Sequence, residues 1–157
     1  MAGVQTSYDL VHAPGFVGQV ADMQLSNVFS RSVETSEIDF GLAVVRGTAD
    51  DQALLPDGAA GSFLGLTVRT IAGTADTAGD RKYQINESAN ILDEGMIYAI
   101  CEDGCTQGDP VEYRYVAGTG QLGGLVTANV VGESVLIPNA VWDTTTAAGE
   151  IGVVKFK

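Results

Sequence analysis

Apolar and polar residues alternate along this chain in short runs. Over residues 111–116, Val111, Tyr113 and Tyr115 fall on one face and Glu112 and Arg114 on the other. A period of two marks a half-buried strand, and it places Glu112 and Arg114 on a solvent face where they can pair. Residues 63–70 alternate as well, with Leu64, Leu66 and Val68 opposite Phe63, Gly65, Thr67 and Arg69. Residues 42–46 and 96–101 are apolar on both faces, which predicts central strands covered from both sides. A last strand sets Gly152, Val154 and Phe156 against Ile151, Val153, Lys155 and Lys157. One stretch competes with this picture: Ala21, Leu25 and Val28 are spaced i, i+4 and i+7, as on one face of a short helix.

Glycine decides the fold class. It occurs 20 times and few windows escape it, and each glycine inside a helix costs about 1 kcal/mol relative to alanine. Turn signals follow one another at Arg46-Gly47, Pro56-Asp57-Gly58, Asp93-Glu94-Gly95, Glu102-Asp103-Gly104 and Gly108-Asp109-Pro110. Short antiparallel strands punctuated in this way predict an all-β, jelly-roll-like β-sandwich or barrel. Residues 1–22 are weakly patterned and read as an extended N-terminal arm, leaving residues 23–157 as a single β-sandwich domain. The tetrapeptide Gly-Thr-Ala-Asp occurs at 47–50 and again at 73–76, too short for a repeat and read as one turn solution used twice.

Composition narrows the function classes. The 157 residues suit one domain, and a chain of this size buries roughly 70% of its unfolded surface. Twenty acidic residues against eight basic ones give a net charge of −12. Such a balance repels phosphate backbones and anionic bilayers, so neither nucleic acid nor a membrane is an expected partner. No apolar run approaches the ~18 residues of a spanning helix. Residues 1–30 lack Lys and Arg, so no export signal is expected, and Cys101 and Cys105 are expected as free thiols in a reducing compartment.

Reactive chemistry finds little support. Gly118-Thr119-Gly120-Gln121-Leu122-Gly123 spells a dinucleotide-binding pattern, but a further strand follows it instead of the required helix, so a hairpin loop is expected. His12 is the single histidine, too few for a zinc site with two cysteines, and no Gly-x-Ser-x-Gly elbow is present. Acidic pairs such as Asp50-Asp51 and Glu102-Asp103 match no calcium loop and read as solvated turns. No catalytic residue, cofactor or metal is therefore expected, and the chain is not read as an enzyme. A soluble carbohydrate-recognising jelly roll is the alternative, with Trp142, Tyr113 and Tyr115 as its only aromatic platform. Surface contact remains. Tyr8, Leu10, Val11, Phe16, Val17 and Val20 of the arm can add a strand to a neighbour, with main-chain hydrogen bonds supplying affinity.

Several segments, in order and spacing, resemble the structural cement (head decoration) proteins of tailed bacteriophages. They are the stretches at 14–22, 38–47 and 61–70, then Glu94-Gly95-Met96-Ile97-Tyr98-Ala99, Gly108-Asp109-Pro110-Val111-Glu112-Tyr113-Arg114 and Gly149-Glu150-Ile151-Gly152-Val153-Val154. The resemblance implies a jelly-roll-like, non-enzymatic capsid protein, made in the host bacterial cytoplasm. It would be bound on the outer surface of the virion head, bridging neighbouring major capsid protein subunits. Independently of the resemblance, residues 42–46 and 96–101 need cover on both faces, so copies of the chain itself, as a dimer or trimer, are a second expected partner.

Overall fold

The computed structural model describes residues 15–22, 24–71, 75, 81–127 and 132–157. Among the described residues ten strands make up the fold and no helix occurs. The first five are β1 (Asn27–Val33), β2 (Ala43–Arg46), β3 (Gln52–Leu54), β4 (Phe63–Thr67) and β5 (Ser88–Glu94). The second five are β6 (Met96–Cys101), β7 (Pro110–Arg114), β8 (Leu125–Val126), β9 (Ser134–Trp142) and β10 (Glu150–Phe156). The all-β class read from the sequence holds, and each set of five strands closes on itself, in the orders β1-β3-β2-β4-β5 and β10-β6-β8-β7-β9. Closure leaves few exposed strand edges, the usual hazard of a short-stranded protein. The helical spacing of Ala21, Leu25 and Val28 is not realised: Val28 lies in β1, and Leu25 is exposed before it.

The two barrels repeat one plan. In each, the first strand runs parallel to the third and antiparallel to the fifth, and a bulge interrupts the pairing of the second strand with the fourth. The hydrogen bonds repeat as well. Ile38 and Tyr83 exchange both main-chain bonds, as do Cys105 and Thr146. Gly41 N–H donates to Thr67 C=O as Gly108 N–H donates to Trp142 C=O. Asn86 N–H donates to Val33 C=O as Gly149 N–H donates to Cys101 C=O, both donors in the left-handed region at φ 65° and 79°. Three matched positions even keep their side chain: Glu34 and Glu102, Gly41 and Gly108, Glu87 and Glu150. The duplicated tetrapeptide is unrelated to this repeat, since both copies fall in the first half of the chain.

Two clusters of buried residues hold the barrels together. One is built on Val33, Ile38, Phe40, Val44, Tyr83 and Ile91. The larger one gathers Ile97, Val111, Leu125, Trp142 and Val154 of the second barrel with Ala43, Leu66 and Leu92 of the first. Residues 42–45 thus face apolar packing on both sides, as their composition predicts. Phe63 bridges the barrels, stacking on Tyr113 at 5.4 Å and lying 6.4 Å from Phe156. Its pairing with Leu66 in one cluster departs from the alternation read in the sequence, which set Leu64 there. Val44 pairs with Gly65 and Val45 with Phe63, so a bulge turns Leu64 toward the other cluster. Gly65 is required at this point: at φ 157° its added Cβ would meet Leu92 C=O at 2.3 Å.

Candidate functional site

The feature that reaches beyond a closed barrel is the segment at 15–22. It is laid along the outer edge of β6 as an added strand. Gly18 N–H donates to Tyr98 C=O at 2.7 Å, Tyr98 N–H to Gln19 C=O at 2.9 Å, and Ala21 N–H to Met96 C=O at 2.8 Å. Val20 pairs with Ile97. On its other side Gly18 C=O accepts from Arg69 N–H at 2.6 Å, so the segment is clasped between the barrels. The fit is tight at Gly18, whose φ is 78° and whose Cβ would lie 2.7 Å from Phe40 Cβ. A side chain at that position meets both a strained backbone and an occupied space.

The six arm residues read from the sequence divide accordingly. Tyr8, Leu10 and Val11 lie outside the described residues. Phe16 is 68% exposed, with the Arg69 guanidinium 5.3 Å from its ring and 5.3 Å from that of Phe40. Val17 is half-buried and lines a cleft of about 370 Å³ between the barrels, whose walls include Phe40, Arg69, Lys82, Ile100 and Glu102. Val20 packs against the larger core cluster. Three of the eight basic residues, Arg69, Arg81 and Lys82, line this cleft, with Lys82 3.6 Å from Asp39.

Charged residues also serve the loops beside it. Glu102 follows β6 and accepts from Gln121 N–H at 2.9 Å, which fixes the glycine-rich loop after β7. That loop is the hairpin connection expected in place of a dinucleotide site. Gly120 and Gly124 leave room for the Glu102 carboxylate, which a Cβ at either position would overlap at 2.2 Å. Arg114 Nε donates to Glu102 at 2.6 Å and its Nη1 lies 3.2 Å from Glu133. Glu112 accepts from Ser134 Oγ at 2.7 Å. Glu112 and Arg114 are therefore buried, which corrects the solvent face read from alternation. Strand β7 has packing on both sides, and its polar residues are satisfied inside by partners far away in sequence. Glu34, at the matching point of the first barrel, accepts from Thr48 N–H at 2.9 Å, and its bonds to Thr48 hold its carboxyl below the usual carboxylate range.

Cys101 and Cys105 are both free and both buried. Burial, then the neighbouring Cys105 and Asp103, push the Cys101 thiol far up, the opposite of an activated nucleophile. The aromatic platform of a glycan module is not formed either, because Trp142 and Tyr113 are core residues. Among the described residues no group of three His, Cys, Asp or Glu side chains converges.

Comparison with known proteins bears on the whole chain. The family model for phage cement, described as Structural cement protein (E217 gp24/Pam3 gp6), matches residues 4–157. A chain from the capsid of Myoviridae phage XM1 shares the fold with a TM-score of 0.69, at 17% identity over 99% of this chain and 97% of that one. The N base of head fiber gp8.5 of bacteriophage phi29 is a more distant likeness, with a TM-score of 0.46 and 9% identity over 85% of this chain and 95% of that one. No curated protein matches.

Proposed function

We propose that this chain, which belongs to the phage structural cement protein family, binds the outer surface of the head and bridges neighbouring major capsid protein subunits. The capsid-structural role follows from the family. The side of the shell, the bridging and the arm contact are our reading. The single observation that carries it is the segment at 15–22, held to its own barrels by main-chain bonds on both sides. That clasp anchors residues 1–14 to the body, so a contact made by Tyr8, Leu10 or Val11 pulls on the whole fold. Phe16, exposed at the start of the clasp, adds an apolar contact to the same surface. Within this reading residues 1–22 act as the arm and residues 23–157 as the body, and catalysis has no part.

A lattice repeats each contact many times, so a weak single contact suffices. The net charge of −12 faces the medium and keeps particles apart. The test is occupancy on undecorated capsids of the cognate major capsid protein. Deleting residues 1–14 leaves the β6 pairing intact and is expected to lower occupancy sharply. Unchanged occupancy would remove the arm contact, and failure of the full chain to bind would remove the cement reading itself.

A further inference from the structure

The repeat exposes a vacancy. In the second barrel β8 covers only the C-terminal end of β6, and the segment at 15–22 covers the rest of that edge. In the first barrel β3 likewise covers only the end of β1, through Ser32 and Val33. Ser30 matches Tyr98, since Ser30 stands opposite Asn90 of β5 as Tyr98 stands opposite Val153 of β10. Val28 matches Met96 by the same register. Tyr98 and Met96 are paired with the arm. Among the described residues Ser30 N–H and both main-chain groups of Val28 have no partner, and Ser30 C=O is reached only by the neighbouring Arg31 guanidinium at 3.0 Å. Beside this open edge Val28 is 43% exposed and Leu25 84%. An unpaired edge flanked by apolar residues is a template for an incoming strand.

We propose that the open edge of β1 is filled by residues 4–10 of a second copy of this chain. This rests on the arm reading above and names the arm's receiving site. Those residues read Val-Gln-Thr-Ser-Tyr-Asp-Leu, with Val4, Thr6, Tyr8 and Leu10 on one face and Gln5, Ser7 and Asp9 on the other. They contain no Gly or Pro, their seven residues are enough to span the part of β1 that β3 leaves uncovered, and they fall inside the matched family region. Each chain carries one such stretch and one such edge on β1, so exchange between neighbours fills the β1 edge of every copy. The affinity comes from main-chain bonds, because two bodies of charge −12 repel. Salt should therefore strengthen the association.

Two measurements on the full chain test this. In the first, a Tyr8→Cys copy is mixed with a Ser30→Cys copy under mild oxidation, with the buried native cysteines as a silent background. Cross-linked heterodimers are expected in the mixture. A double variant that closes only within one chain would overturn exchange, as would a mixture that never cross-links. In the second, sedimentation equilibrium compares Ser30→Ala with Ser30→Pro: both lose the Ser30 Oγ bond to Asn90, and only the proline removes the outward N–H, with the main-chain pairing to β5 kept in both. The dissociation constant is expected to rise about tenfold, the effect of one lost main-chain hydrogen bond. An unchanged constant, or a wild type that is monomeric at every concentration, would refute the site. Full capsid occupancy by a full chain that shows no exchange would sink this inference alone; a full chain that exchanges yet fails to occupy capsids would sink the cement reading instead.

Discussion

Single residues set the electrostatic frame around the clasp. Arg114 is enclosed between Glu102 and Glu133, and Glu102 in turn holds the loop at Gln121. Removing one partner leaves a charge without compensation, so Arg114→Ala should lower unfolding free energy by about 3 kcal/mol. Chemical denaturation measures this, and a loss below about 1 kcal/mol, the range of exposed pairs, would show that the cluster is solvated. The pH response follows from groups with raised values. Burial lifts Cys101 above its ordinary 9.0, and Tyr83 and Tyr113 above 10.0. The unfolded chain then loses these protons first, so their stabilisation is intact below pH 9 and declines as pH rises beyond it. Thermal melts of Cys101→Ala should lack the earliest part of that decline, and an identical slope would place its origin elsewhere. Such roles were hidden in the sequence. Glu112 and Arg114 alternate with apolar neighbours just as solvent-facing residues do, and their true partners lie outside β7, Ser134 at the start of β9, Glu133 just before it and Glu102 just after β6.

At the scale of elements, alternation and turn residues revealed most strands. Residues 42–46, 63–70, 96–101 and 111–116 all carry one: alternation marks 63–70 and 111–116, short apolar runs mark 42–46 and 96–101, and glycine lies near the ends of each. What alternation could not show was the bulge opposite Val44 and Val45, which sends Leu64 and Leu66 to different clusters. The repeat was also illegible, since only scattered matches such as Glu34 with Glu102 and Gly41 with Gly108 keep their side chains. Hydrogen-bond geometry preserves what side chains have lost. The clasp at 15–22 depends on one such geometric requirement. Gly18→Val would need a left-handed valine in space that Phe40 Cβ occupies, at 2.7 Å from the new Cβ. Hydrogen exchange at Tyr98 N–H should accelerate in that variant while amides of β9 stay protected. Uniform acceleration across both barrels would show that the segment is part of the core's cooperative unit.

For the whole molecule, charge and arm act together. Net charge and the scarcity of histidine and basic residues set the expectations about partners and reactions, because those expectations draw on composition alone. The docking geometry did not follow from composition, since it depends on which edge each barrel leaves uncovered. In the proposed arrangement an acidic two-barrel body sits on the shell, with its N-terminal residues reaching a neighbour and its clasp transmitting the load. Electron cryo-microscopy of capsids decorated with the full chain tests this most directly. The expected map shows the two barrels ordered on the outer face, each contacting two major capsid subunits, with residues 1–14 continuous into an adjacent molecule. Barrels on the inner face, or an undecorated shell at saturating protein, would contradict it.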